Sequence, residues 1–146
     1  MRYEELRKKK EDEAFKQLSV QEKLKDLYVN PAVISCKLAR CTQEEIREIA
    51  SILGYELNTQ ANIKKVVDFI VYEVRTQLKD QELQKFFAQN PKPEKLNDYL
   101  CDNFTHWELQ HLMRKNGLDF QLSSGTSELS EPLTSYYKEQ ENALKL

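Results

Sequence analysis

Turn-forming residues are scarce in this chain. Its 146 residues include three glycines and four prolines, and segments that favour β-strands are few. All-β proteins need many short strands separated by glycine- and proline-rich turns. The scarcity of both signals predicts an all-α protein.

Long apolar runs are also missing. No stretch approaches the roughly 20 apolar residues that span a bilayer as a helix, charged residues make up 32% of the chain, and the mean hydropathy is −0.72. The first 15 residues are charged throughout, which does not fit a signal peptide. We therefore expect no membrane partner and a cytoplasmic location.

Cysteine is too sparse for a disulfide framework. Cys36, Cys41 and Cys101 are an odd number and show no CxxC spacing. Free thiols are the ordinary interpretation of such a pattern.

Catalytic and metal-binding motifs are lacking as well. The sequence contains no glycine-rich phosphate loop, no HExxH and no nucleophile elbow. His106 and His111 are five residues apart and would point to different helix faces, so we expect surface histidines rather than a metal pair. We therefore expect no enzyme, no cofactor and no small-molecule substrate.

What the sequence does contain is helical periodicity. The β-branched run Val66–Val74 on its own could form a strand. It lies, however, within a segment whose apolar residues recur every three or four positions, which predicts one long, mostly buried helix. Those residues are Ile63, Val66, Val67, Ile70, Val71 and Val74.

Helix boundaries are marked by local signals. Ser19, Thr42 and Thr105 are each followed three residues later by glutamate, the spacing of a capping box. Asn30-Pro31 and Asn90-Pro91 should stop helices, because proline cannot continue one. Gly54 and Gly117 occupy positions where a left-handed residue would end a helix.

These signals occur twice along the chain. Val20–Pro31 aligns with Asp80–Pro91 at a shift of 60, and Thr42–Ile70 aligns with Thr105–Leu133 at a shift of 63. The repetition predicts a charged N-terminal helix (1–19) and two tandem helical units (20–79 and 80–146). The alternative to a duplication is that any two helical segments share an apolar period.

The end of each unit resembles the helix–extended-loop–helix family that includes SAP and HeH domains. "LQHLMRKNGL" (Leu109–Leu118) provides a leucine-bearing helix with a Gly-Leu stop. "ELSEPL" (Glu128–Leu133) and "VVDFI" (Val66–Ile70) provide the apolar residues four apart in the second helix. The resemblance covers 42–70 and 105–133.

Pro132 affects where the last helix of the second unit begins. We expect a start at Ser130, which would place Glu131 and Pro132 in the first turn, where proline is tolerated.

The resemblance implies binding of DNA or RNA, since SAP-like domains commonly grip DNA through the start of the second helix and the loop before it. In the second unit this place carries only serine, threonine and glycine, so the first unit is the candidate. Either Asn58 or Thr59 would cap the helix, and the short helix before Thr42 adds two cations. The candidate residues are Lys37, Arg40, Asn58, Thr59, Asn62, Lys64 and Lys65. The competing interpretation is that the lysine and arginine side chains of the first unit are solvated and bind nothing.

The net charge supports a second hypothesis about the function of this protein. The net charge is −2, whereas affinity for phosphate grows with the number of cationic contacts. A basic run, Arg7 to Lys10, is followed by Glu11 to Glu13 and is best read as a solvated helix face. The alternative function is a helical adaptor or regulatory inhibitor that binds a protein around Trp107, Tyr136 and Tyr137.

Overall fold

The computed structural model describes residues 2–55, 62–121 and 124–144, with side chains up to residue 141. Across these ranges the chain forms eight α-helices, one short 3-10 turn and no strand, which confirms the all-α fold class. The helices are α1 (Tyr3–Lys16), α2 (Val20–Leu27), α3 (Ile34–Leu38), α4 (Gln43–Ile52), α5 (Ile63–Ala88), α6 (Pro93–Asn103), α7 (His106–Lys115) and α8 (Thr126–Leu144). The 3-10 turn, Pro31–Val33, leads directly into α3.

The chain divides into two compact units. Unit 1 is Met1–Arg75 and unit 2 is Thr76–Leu146, so the division falls inside α5. Residues 63–75 of α5 therefore belong to unit 1, and residues 76–88 belong to unit 2.

The β-branched run lies in the middle of α5. Val66, Ile70 and Val74 are fully buried, and their spacing of four places them on one helix face. The prediction of a helix rather than a strand is confirmed.

Each unit has its own apolar core. The core of unit 1 is formed by Leu27, Ile34, Leu38, Ile46, Ile49, Ala50, Val66, Ile70, Val71 and Val74. The core of unit 2 is formed by Leu83, Leu96, Leu100, Phe104, Leu109, Leu112, Met113, Leu129 and Leu133.

The threonine capping boxes are complete. The Thr42 hydroxyl accepts from the Glu45 amide and the Glu45 carboxylate accepts from the Thr42 amide; Thr105 and Glu108 repeat the arrangement. At Ser19 only half of the box forms. Its hydroxyl accepts from the Glu22 amide, but the Glu22 carboxylate accepts from that hydroxyl rather than from the Ser19 amide.

The predicted helix stops are also confirmed. Gly54 and Gly117 have φ of 99° and 70°, the left-handed region that favours glycine. The Tyr55 amide donates to the Ala50 carbonyl at 2.9 Å, and the Leu118 amide donates to the Met113 carbonyl at 2.9 Å. These bonds close a Schellman motif after α4 and after α7.

Asn-Pro pairs follow α2 and α5. α2 ends at Leu27 and α5 ends at Ala88, before Pro31 and Pro91 respectively. Asn30 accepts from the Ala32 amide through its side chain, and Asn90 has a φ of 53°. Asparagine tolerates both arrangements because its short polar side chain bonds locally.

The predicted start of the last helix is wrong. α8 begins at Thr126 rather than Ser130, and Pro132 lies inside the helix. Leu129 and Leu133 are fully buried, so packing of this face holds the earlier turn in helical form although proline lacks a donor there.

The two copies of the repeated signal have matching helices. α4 and α7 each contain ten residues, and α4 and α5 begin 63 residues before α7 and α8 respectively. Val66 and Ile70 are fully buried in unit 1, as Leu129 and Leu133 are in unit 2. Duplication of an ancestral unit stays a prediction that these matches favour.

Candidate functional site

The start of α5 holds the exposed part of the predicted nucleic-acid site. Asn62 lies just before the helix, and its Oδ1 accepts from the Lys64 amide at 3.0 Å. Asn62, rather than Asn58 or Thr59, therefore caps α5; the latter two lie outside the described residues. The side chains of Lys64 and Lys65 are exposed.

Lys37 is already bound to a carboxylate. It lies on α3, and its Nζ is 2.9 Å from Asp26 Oδ2 and 3.0 Å from the Asp26 carbonyl. Only 21% of its side chain is exposed. Lys37 therefore ties α3 to the end of α2.

Arg40 also has an anionic partner. It follows α3, which ends at Leu38, instead of belonging to that helix as predicted. Its Nε is 2.7 Å from Asp12 Oδ1 on α1, and one terminal nitrogen donates to the Cys36 carbonyl at 2.6 Å.

The predicted site thus separates into two parts. Lys37 and Arg40 make contacts with α1, α2 and α3, whereas Asn62, Lys64 and Lys65 lie at the start of α5. In the described ranges, no hydrogen bond or ion pair joins the two parts. Nor does any described carboxylate pair with the ammonium groups of Lys64 and Lys65.

The matching position in unit 2 carries no cation. Ser124 is buried there, and Gly125 supplies the carbonyl that accepts from the Leu129 amide. Thr126 and Ser127 begin α8. Ser123 lies outside the described residues.

The three residues predicted to bind a protein differ in exposure. Trp107, in the first turn of α7, is 59% exposed. Tyr137 packs edge-on against Phe87, with ring centroids 5.3 Å apart. Burial raises the pKa of Tyr137 to about 12, and the nearby Asp80 acts in the same direction. Tyr136 is half-buried, with its ring 5.8 Å from that of Tyr137.

A cavity lies beside Tyr137. It has a volume of about 430 Å³ and lies between the end of α5 and the later part of α8. It is lined by Gln84, Phe87, Ala88, Tyr137, Gln140 and Glu141.

Sequence reasoning missed a lysine that anchors each capping box. In unit 1, the buried Lys23 on α2 donates to the Glu45 carboxylate. This bond is the main reason why the pKa of Glu45 lies below its usual value. A capping box is readable locally, but its lysine lies 22 residues away and has no local signal.

Unit 2 has the same arrangement, but here the glutamate is buried and the lysine is partly exposed. Glu108 is 1% exposed and accepts from Lys79 Nζ at 2.8 Å. Burial alone would raise the pKa of Glu108, but the bonds from Lys79 and Thr105 outweigh it and hold the pKa below its usual value. Glu108 Oε2 is buried without a hydrogen-bond partner among the described atoms.

One histidine contradicts the surface expectation. His111 is buried in α7, because it lies between core residues of that helix. His106 is half-buried, with its Nε2 2.9 Å from Gln110 Nε2. Within the described part of the chain, no group of three or more His, Cys, Asp or Glu side chains could hold a metal ion.

Comparison with known proteins gives no relative. No family model, no curated protein and no solved structure matches this chain. The SAP-like character of the two units therefore stays a prediction. Among the described helices, none combines the length and apolar composition that a bilayer span requires.

Proposed function

We propose that unit 1 binds the phosphates of DNA or RNA through the start of α5. One observation carries this proposal: Lys64 and Lys65 are adjacent, exposed and without a described carboxylate partner in the first turn of a 26-residue helix. The positive end of the helix dipole and two ammonium groups favour an anion at the same place.

The distribution of charge supports unit 1 rather than unit 2. Unit 1 contains 14 Lys and Arg against 13 Asp and Glu, whereas unit 2 contains 8 against 11. Phosphate contacts from lysine carry no base information, so the proposed binding is weak in sequence preference and strongly dependent on salt.

The test is fluorescence anisotropy with labelled DNA and RNA oligonucleotides at two salt concentrations. The variant Lys64→Glu with Lys65→Glu should lose binding while it keeps its helical circular dichroism. The matched control is Lys92→Glu with Lys95→Glu, because these lysines are also exposed at a helix start, that of α6 in unit 2. Equal affinity of the two double variants would contradict the proposal.

Exposure of Trp107 supports a second candidate, binding of a protein. A tryptophan that is 59% exposed leaves a large apolar surface in water, and tryptophan is enriched where interfaces concentrate their energy. A photo-crosslinking residue at position 107 should capture a partner that the same residue at the exposed Glu94 does not. Equal capture at both positions would exclude this surface.

A further inference from the structure

α1 is attached to unit 1 by only part of its length. Residues 2–11 are all exposed, and within Tyr3–Lys16 only Asp12 and Phe15 are withdrawn from solvent. Arg7 pairs with Glu11 inside the helix, at 3.4 Å, and so contributes nothing to attachment. The described contacts of α1 with the rest of unit 1 therefore come from its C-terminal half.

Two side chains make that attachment. Phe15 is 6% exposed and lies under the Lys23 ammonium, 5.7 Å from the ring centroid. Asp12 holds Arg40 at 2.7 Å, with side chains that are 40% and 35% exposed. The described core of unit 1 is built from α2 to α5 and does not include Phe15, so Phe15 is buried outside that core.

We infer that α1 is an autoinhibitory arm that masks Arg40 from nucleic-acid phosphate; this inference rests on the proposed function. A carboxylate and a phosphate both bind a guanidinium through charge-assisted hydrogen bonds. Asp12 occupies the Nε donor that a phosphate oxygen would use. A nucleic acid presents many phosphates, so a released Arg40 adds a contact to those made at Lys64 and Lys65.

The contact between the arm and Arg40 can be broken because this ion pair is weak. A partly exposed carboxylate–guanidinium pair contributes little to stability and is screened by salt. The acidic run Glu11 to Glu13 also brings repulsion of phosphate to this place while the arm is closed. An incoming polyanion therefore competes with a single partly exposed carboxylate for Arg40.

The test compares Asp12→Asn with Glu13→Gln in the full chain. Both changes remove one negative charge from α1, but Glu13 is exposed and makes no described ion pair. Measured by anisotropy, Asp12→Asn should bind DNA on the order of fivefold more tightly than Glu13→Gln, with a salt slope steeper by about 0.9, the value of one added phosphate contact.

Arg40→Gln is the third variant in this test. It should cancel the gain in the Asp12→Asn background and change little in the parent, where Arg40 is masked. If Asp12→Asn and Glu13→Gln bind equally, or if Arg40→Gln acts equally in both backgrounds, the arm is not autoinhibitory.

The two proposals can fail separately. Loss of binding in Lys64→Glu with Lys65→Glu, together with no difference between Asp12→Asn and Glu13→Gln, would overturn only the arm. Absence of DNA and RNA binding by the parent and by Asp12→Asn would overturn the proposed function and the arm together.

Discussion

At the scale of single residues, each threonine capping box is part of a longer chain of contacts. Glu45 and Glu108 each satisfy the amide of the threonine that caps their own helix and also accept from a lysine of another helix. The lysine differs in position, since it comes from α2 in unit 1 and from α5 in unit 2. One carboxylate thereby fixes both the start of a helix and its packing.

Replacement of Lys79 by methionine should destabilise the protein, because the buried Glu108 carboxylate would lose its cation. Only the carboxylate of this pair is buried, since the Lys79 side chain is 39% exposed. Loss of the cation leaves the buried charge uncompensated, so we expect a decrease of about 2 kcal/mol in the free energy of unfolding. Urea unfolding followed by circular dichroism measures it. Lys85→Met is the control, since its pair with Glu82 is about 70% exposed and should contribute less than about 1 kcal/mol.

The same pair predicts a dependence on pH. The pKa of Glu108 is lowered in the folded protein, so its contribution is present above the unfolded pKa and is lost as the pH falls through the folded pKa. The free energy of unfolding of the parent should therefore decrease on acidification below about pH 4.3. In Lys79→Met burial is no longer opposed by the ammonium, so this acid-side loss should shrink. If Lys79→Met lost as much free energy of unfolding on acidification as the parent does, Glu108 would not be the source of this dependence.

The glycines that end α4 and α7 allow a second test at this scale. Gly54 and Gly117 have positive φ, and an added Cβ would meet no atom within 4 Å at either position. Because the Cβ itself has space, we expect backbone strain to dominate the cost of a β-branched residue, about 1 kcal/mol or more for Gly54→Val or Gly117→Val. Gly125→Ala is the control, because Gly125 has no positive φ and equal space. Equal melting temperatures for all three variants would contradict the helix-stop assignment.

At the scale of elements, local sequence predicted most helix ends. The threonine caps, the glycine stops and the Asn-Pro pairs act within a few residues, so they are readable without the fold. The start of α8 was not readable, because burial of Leu129 and Leu133 outweighs the preference of Pro132. The partners of Lys37 and Arg40 were equally hidden, since Asp26 and Asp12 lie 11 and 28 positions earlier in the sequence.

Replacement of Pro132 by alanine should stabilise α8. Pro132 is exposed and inside the helix, so alanine restores an amide donor and removes a clash without disturbing the core. Proline costs up to about 3 kcal/mol in a helix interior, and we expect a gain of about 1 kcal/mol in the free energy of unfolding. Pro93→Ala is the control, because proline is tolerated in the first turn of α6. A lower stability of Pro132→Ala would show that the proline has a role in packing.

At the scale of the whole molecule, the two units use matching helices with different charge. In unit 1, adjacent lysines lie in the first turn of α5, whereas Ser127 and Glu128 hold the corresponding positions of α8 in unit 2. The sequence repeat thus predicts matching helices, while the proposed function depends on residues at which the two units differ. Two of the four predicted cations, Lys37 and Arg40, are paired with carboxylates inside unit 1. The sequence pattern alone could not reveal these pairs.

The anisotropy titration of Lys64→Glu with Lys65→Glu tests whether the start of α5 binds nucleic-acid phosphate. We expect salt-sensitive binding of DNA or RNA by the parent and by Lys92→Glu with Lys95→Glu, and loss of binding by the α5 variant with its fold intact. Binding by the α5 variant as tight as that of the parent, or no binding by the parent even at low salt, would contradict it.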